Sequence, residues 1–225
     1  MKVVAVVPIK LNSRRLANKN IRSFLNGQPL CYYILSTLLK IAAIDEVYVY
    51  CSNEMIKDYI PRGVKFLKRD PQLDQDTTKM NEVLAEFVNT IQADIYVMSH
   101  VTAPFVTKAT IEKGLDAVLH EKFDSAFSVK KLQDFLWIKG IPFNYNLQNI
   151  PRTQDLDIIY KETSGVYIFE RSVLLERKGR IGVKPYLLEV GEIEGIDIDE
   201  EEDFIIADAV FNYLTYLEKD DSNNE

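Results

Sequence analysis

Short apolar runs at regular intervals constrain how this chain can fold more than any other feature. The first run, Val3–Val7, is β-branched or apolar at every position, which is typical of a strand buried on both faces. Similar runs follow at 47–51, 64–67, 95–98 and 125–129, and a segment with helical periodicity lies between each pair. This alternation predicts right-handed crossovers and a mostly parallel, doubly wound α/β sheet.

The regular order breaks after the fifth run. Residues from about 130 to 161 contain Gly, Pro and Asn among short apolar pieces, and an irregular connection this long is unusual in a compact domain. We therefore predict an inserted arm that covers a site, packs on another subunit, or both; a meandering surface loop is the alternative. Regularity returns with predicted strands at 165–169, 184–189 and 193–198 and a last helix at 200–217.

Composition limits the class of protein. The 225 residues are 47% hydrophobic and 27% charged, which suits one domain, expected over 1–218, with a frayed polar tail at 219–225. The net charge of −7 argues against nucleic-acid binding, and no apolar run reaches the ~18 residues of a membrane span. Two cysteines without a CxxC pair favour a reduced, cytoplasmic setting.

The segment 10–20 is the first candidate binding loop. It follows the first predicted strand, and ligands of such sheets bind beyond the carboxyl ends of the strands. Four cations, three asparagines and a serine lie in it, so charge and hydrogen bonding would favour a phosphate group. It contains no glycine, so it is neither a Walker A loop nor a GxGxxG turn. A solvated basic turn is the alternative.

A pair of aspartates is the second candidate. In a strand over 193–198, Asp197 and Asp199 would point to one side while Ile196 and Ile198 point to the other. Two like charges on one strand face repel unless a cation joins them, so the pair predicts a metal site with oxygen ligands. The acidic run at 200–203 has a different explanation, because negative charge is favourable at the start of a helix.

Other polar residues lie in the loops after the third and fourth predicted strands. Arg69 could reach a ligand at the strand ends, and Asp76-Thr77 either contact that ligand or cap the next helix. His100 and Thr102 lie in the loop after the fourth strand, where an ordinary surface or core histidine is the alternative.

Two small groups of residues lie in or after the arm. Arg152 and Gln154 belong to the segment Pro151–Gln154, and the pair Ser164-Gly165 in the next strand could permit close approach of a substrate.

In this order, the motifs resemble those of the acylneuraminate (sialic acid) cytidylyltransferases, which activate nine-carbon acidic sugars. The family's first loop, Arg-x-x-Ser-Lys-x-x-x-x-Lys-Asn, is matched by Lys10, Ser13, Arg14, Lys19 and Asn20. Its last motif, Ser-Ile-Asp-Ile-Asp, is similar to Gly195–Asp199. The supporting matches are Arg69, Asp76-Thr77, His100–Pro104, Pro151–Gln154 and Gly165–Ile168.

The resemblance implies a three-layer, Rossmann-like nucleotidyltransferase fold, a homodimer formed through the inserted arm, and transfer of CMP from CTP to an acidic sugar. Lys19, Asp197 and Asp199 would be catalytic, and the two aspartates would hold Mg²⁺. The implied nucleotide contacts are Lys10, Leu11, Asn12, Ser13, Arg14, Lys19, Arg69, Asp76 and Thr77. The implied sugar contacts are His100, Thr102, Arg152, Gln154 and Gly165.

Three alternatives stay open at this point. One is a relative that transfers a guanylyl or other nucleotidyl group, and another is an enzyme similar to CMP-octulosonate synthetase. The third belongs to a different class, a catalytically silent nucleotide-sugar-binding module. An intact aspartate pair argues against that last one, because a silent relative has no physical need for two repelling charges.

Overall fold

A computed structural model describes residues 1–13 and 15–222, so Arg14 and the last three residues lie outside the described part. Its main sheet has seven strands, which are β1 (Val3–Ile9), β2 (Glu46–Cys51), β3 (Lys65–Lys68), β4 (Ile95–Ser99), β5 (Ser125–Leu132), β8 (Ile159–Glu170) and β9 (Pro185–Glu189). Across the sheet they lie in the order β3-β2-β1-β4-β8-β5-β9. Only β8 runs antiparallel to its neighbours within this sheet, which confirms the predicted mostly parallel α/β fold.

Helices cover both faces of the sheet and complete the three layers. They are α1 (Leu30–Leu39), α2 (Met80–Thr90), α3 (Lys108–His120), α4 (Arg171–Arg177) and α5 (Glu201–Ser222). One core joins α1, α3 and α5 to the sheet, and the other joins α2 and α4. Strand β1 supplies Val3, Ala5 and Val7 to the first core and Val4 and Val6 to the second, which is why its sequence has no polar position.

Two predicted elements differ from the structure. The expected strand at 193–198 does not form: residues 192–195 make a turn, and the Ile198 amide donates instead to the Thr102 carbonyl over 2.8 Å. The segment with helical periodicity between the second and third predicted strands forms a 3-10 turn, Glu54–Asp58, which the Asn53 side chain caps. Helix α4 was not predicted, and α5 continues through 219–222, the first part of the expected tail.

The arm grows out of the sheet as a ribbon. Strands β5 and β8 stay paired as far as Leu132 and Ile159, and a small hairpin of β6 (Trp137–Ile138) and β7 (Ile141–Pro142) lies between them. The arm is therefore built on a long antiparallel pair rather than being a free loop.

A bulge interrupts that pair where it enters the sheet. The register shifts between Phe127 and Val129, and Ser164 adopts a left-handed conformation with φ 59°. Ser128 Oγ accepts the Val166 amide at 3.1 Å and so satisfies a donor that the shifted ladder leaves free. The bulge thus changes the direction of β8 at the edge where the parallel strands end.

Candidate active site

The polar loops that the sequence singled out converge at one edge of the sheet. The segments after β1, β3 and β4 all leave the carboxyl ends of parallel strands, and the segment 196–199 reaches the same edge by its contact with Thr102.

The described helices, which lie within residues 1–13 and 15–222, include none with the length and apolar character that a membrane span requires.

Lys19 joins the first of these loops to the last. It begins a single 3-10 turn, Lys19–Ile21, which follows Asn18 in a left-handed conformation. Its amine donates to the Ile198 carbonyl at 2.8 Å and to Asp199 Oδ1 at 3.1 Å, with the side chain only 10% exposed. A buried ammonium needs such partners, so the loop and the aspartate segment hold each other in place.

Asp199 is also bound by Arg15, a residue that the sequence analysis did not select. The two guanidinium nitrogens of Arg15 donate to the two carboxylate oxygens of Asp199 at 2.9 Å each. Burial opposes ionisation of Asp199, but Lys19 and Arg15 together hold its pKa below the ordinary value. Asp199 is therefore an ionised carboxylate with a cation on each side.

Asp197 has a different environment. Burial, assisted by the charge of Asp199, raises the pKa of Asp197 against the opposing effect of a hydrogen bond from Thr102. Its buried Oδ1 has no hydrogen-bond partner in the part of the chain that the structure describes. An unpartnered carboxylate oxygen beside a second carboxylate fits a hard cation such as Mg²⁺. The described residues contain no cluster of three or more metal-ligating side chains, so other ligands of such a cation would come from water or substrate.

The strand prediction gave an incorrect geometric reason for this pair. Asp197 and Asp199 lie on irregular backbone, where alternation along a strand does not apply. Asp203, the third residue of α5, holds Asp199 in place, since its Oδ2 accepts the amides of Asp199 (2.9 Å) and Glu200 (2.8 Å). The bond from Glu200 is the one that the N3 side chain accepts in a capping box.

Apart from Arg14, which lies outside the described residues, and Arg69, the predicted nucleotide residues line adjoining clefts. One of about 320 Å³ contains Lys10, Asn12, Ser13, Arg15, Leu16, Lys19 and Asp76. Another of about 490 Å³ extends from Leu11, Asn12 and Asn18 to Ser52, Asn53 and Asp74, and Thr77 lines a third beside Lys10 and Asp76. Asn12 lines all three, so they are parts of one polar groove. Lys10 Nζ and Asp76 Oδ1 lie 2.9 Å apart, which brings two predicted residues together across the groove.

Arg69 lies beneath this groove. It is 3% exposed and donates to the carbonyls of Ile9 (3.0 Å) and Tyr50 (3.4 Å) and to the carboxylate of Asp74. These contacts brace the ends of β1 and β2, and a direct contact of Arg69 with a nucleotide stays a prediction.

His100 follows β4 and lies near Lys19 and Asp199. Burial, followed by the positive charges of Arg180 and Lys19, lowers the pKa of His100 to about 4. The imidazole is therefore neutral at pH 7 and offers one hydrogen-bond donor and one hydrogen-bond acceptor. Arg180 stacks on the Tyr167 ring at 4.1 Å and is a second cation that the sequence analysis missed.

Gly165 has a packing role rather than an open face. It is buried, and a Cβ there would lie 2.8 Å from Val106 Cγ2 and 3.1 Å from Ser128 Oγ. Its carbonyl also accepts the Ser99 hydroxyl at 2.5 Å. The absence of a side chain allows β8 to approach the loop after β4.

Arg152 and Gln154 stay within the arm. Arg152 forms a forked ion pair with Asp155 at 2.8 and 2.9 Å, and the Gln154 carbonyl accepts from Gln133. Among the described residues, no hydrogen bond or ion pair joins either one to the Lys19–Asp199 centre. Their contact with a sugar stays a prediction.

Comparison with known proteins adds relatives to this geometry. A family model described as cytidylyltransferase matches residues 4–216. N-acylneuraminate cytidylyltransferase of Streptococcus agalactiae is 21% identical over 95% of this chain and 54% of its own length. CMP-N,N'-diacetyllegionaminic acid synthase of Legionella pneumophila is 26% identical over 93% of this chain and 96% of its own length.

Several of the full-length relatives are longer than this chain. The chain spans about half the length of the first curated relatives that it matches. Among solved structures, CMP:2-keto-3-deoxy-manno-octonic acid synthetase complexed with CTP superposes with a TM-score of 0.70 at 17% identity, covering 95% of this chain and 99% of that one. A likeness at this identity confirms the fold.

The environment of His100 predicts acid-sensitive stability. An unfolded chain would bind a proton at His100 near pH 6.5, whereas the folded protein binds it only near pH 4. The unfolded state therefore gains protons first, and this contribution to stability is lost as the pH falls from 6.5 towards 4. His100→Gln should lose less free energy of unfolding between pH 7 and pH 5 than the wild type does, as measured by urea denaturation. Equal losses in the two proteins would contradict a neutral His100 in the folded protein.

Proposed function

The chain belongs to the cytidylyltransferase family, and from that membership we propose that it transfers CMP from CTP to the anomeric hydroxyl of an acidic sugar. The observation that carries this proposal is the Lys19–Asp199 contact, with the unpartnered oxygen of Asp197, at the end of a polar groove lined by cations. In the reaction the sugar oxygen bonds to the α-phosphorus, the bond from that phosphorus to the bridging oxygen breaks, and pyrophosphate leaves. The hydroxyl proton passes to solvent.

The groove supports the binding of the triphosphate. Lys10, Ser13 and Lys19 line one cleft, where ammonium and hydroxyl donors would meet phosphate oxygens. The part of the groove next to Leu11, Ser52 and Asn53 has room for a nucleoside. Holding the α-phosphate and the sugar hydroxyl in line supplies most of the catalysis that such a transfer needs.

Asp197 and Asp199 would hold Mg²⁺. When bound there, the cation would neutralise phosphate charge and lower the pKa of an attacking hydroxyl. Lys19 keeps Asp199 ionised and in position.

We propose a nine-carbon acidic sugar as the acceptor. The relatives include enzymes named for N-acylneuraminate, for diacetyllegionaminic acid and for pseudaminic acid. Neutral His100, beside the aspartate pair, would hydrogen-bond a sugar hydroxyl without repelling a cation.

The free thiols of Cys31 and Cys51 support a cytoplasmic location, where cysteines stay reduced.

The direct test is release of pyrophosphate. CTP, UTP, GTP and ATP would each be offered with N-acetylneuraminic, legionaminic, pseudaminic and octulosonic acids, in the presence of Mg²⁺. We expect turnover with CTP and at least one nine-carbon acid. Asp197→Asn should lower kcat by about 10²–10³-fold, since it removes one charge at the reacting centre. Asp116→Asn, an exposed carboxylate on α3, is the matched control and should stay active.

The same assay can reject the proposal in two ways. No pyrophosphate with any pair of substrates would favour a silent binding module. Turnover that Asp197→Asn leaves almost intact at limiting Mg²⁺ would remove the metal role of the aspartates.

We also propose that the arm forms a homodimer. It exposes large apolar side chains, with Trp137 54%, Ile141 62% and Phe143 58% exposed, and several exposed apolar side chains on one segment are typical of a contact surface. A symmetric pair would cover these side chains and could bring the arm of one subunit, with Arg152, towards the groove of the other.

Sedimentation tests the dimer. We expect a species of twice 25.9 kDa at micromolar concentration, and Ile141→Glu should shift it towards the monomer because a buried, unpaired charge is costly. Leu25→Glu is the control, since Leu25 is 82% exposed and lies outside the arm. A fully active wild-type monomer would contradict this assignment of the arm.

A further inference from the structure

Arg15 makes a contact that the proposed reaction does not use. Its forked pair with Asp199 has two hydrogen bonds of 2.9 Å, and the pair occupies one of the two carboxylates that would hold Mg²⁺. Arg15 is 61% exposed and Asp199 39% exposed. Ion pairs this open to water contribute only about 0–1 kcal/mol, so a stronger anion can replace one partner.

Lys19 and Arg15 hold the same carboxylate in different ways. The amine of Lys19 is buried and also bonded to the Ile198 carbonyl, which fixes it. The guanidinium of Arg15 is exposed to solvent and donates to Asp199 through its two terminal nitrogens. Asp199 therefore has one buried cation and one exposed cation.

The exchange would not require a long movement. Arg15 already lines the cleft of about 320 Å³ with Lys10, Ser13 and Lys19, where the triphosphate is proposed to bind. A triphosphate carries more charge than one carboxylate and presents pairs of oxygens that match the guanidinium fork.

We propose that Arg15 is a positioning residue that binds Asp199 in the free protein and moves to the triphosphate when it enters. The consequence is an order of events: Arg15 keeps a divalent cation away from Asp199 until the triphosphate draws the guanidinium off. This inference rests on the proposed function only in assuming that a triphosphate uses the cleft, and it does not depend on the base or the sugar.

Two binding measurements without turnover test it. The first is the affinity for Mn²⁺ alone, by electron paramagnetic resonance, and the second is the affinity for inorganic tripolyphosphate in EDTA, by calorimetry. Arg15→Ala should bind Mn²⁺ roughly fivefold more tightly, because the competing cation is gone. It should bind tripolyphosphate roughly tenfold more weakly, because charge-assisted hydrogen bonds are lost. Arg15→Lys keeps the charge but lacks the forked pair of donors. Both of its affinities should therefore lie between those of the wild type and those of Arg15→Ala.

Controls separate a specific contact from a change in net charge. Arg22→Ala removes a neighbouring arginine with its own forked pair to Glu201 and should change both affinities by less than about twofold. In an Asp199→Asn background, Arg15→Ala should no longer tighten Mn²⁺ binding, which is the signature of direct coupling. The thermal midpoint of Arg15→Ala should match the wild type, since the pair is exposed.

Each outcome has a definite meaning. If Arg15→Ala binds Mn²⁺ no better than the wild type does, or neither binds it, the contact does not shield Asp199 and the proposal is overturned. Unchanged tripolyphosphate affinity overturns the exchange. Opposite shifts in the two affinities, together with no pyrophosphate release from CTP, would support Arg15 while rejecting the proposed function.

Discussion

The contact of the Lys19 amine with the Ile198 carbonyl and Asp199 is the interaction on which the site depends. It joins residues 179 positions apart in the chain, and it lies where the loop after β1 meets the segment before α5. A buried ammonium without partners would be costly, so the two segments must close together when the chain folds. Within the loop itself, Asn20 donates to the Lys10 carbonyl at 2.7 Å.

This closure gives two aspartates opposite properties. Asp199 lies between two cations and ionises readily, whereas Asp197 is half-buried and has one buried oxygen that no described residue satisfies. The pKa of Asp199 is lowered and that of Asp197 is raised, each against its ordinary value. Carboxylates with divergent environments of this kind are typical of reacting centres, and here they lie beside a groove lined by cations.

The local sequence pattern predicted most of the fold, whereas contacts between segments far apart in the chain determine most of the site. The apolar positions of β1 and the Thr107 cap of α3 could be predicted because each depends on neighbours in the sequence. The antiparallel direction of β8 and its bulge depend on β4 and β5, which lie far away in the chain. Arg15 gave no sequence signal distinct from other cations of its loop, because its partner is 184 residues further on. The aspartate pair could be selected from its spacing, but a turn and a capping carboxylate, not a strand, position it.

The affinity of the free protein for CTP, measured without Mg²⁺ or sugar, tests the central role of Lys19 most directly. Lys19→Met keeps the length of the side chain and removes the charge, and the account predicts that CTP binds about 10–100-fold more weakly as a charge-assisted contact is lost. Lys178→Met is the matched control, since that lysine follows α4 and does not line the groove. This variant should bind CTP with the same affinity as the wild type. An equally small change in both variants would contradict the account.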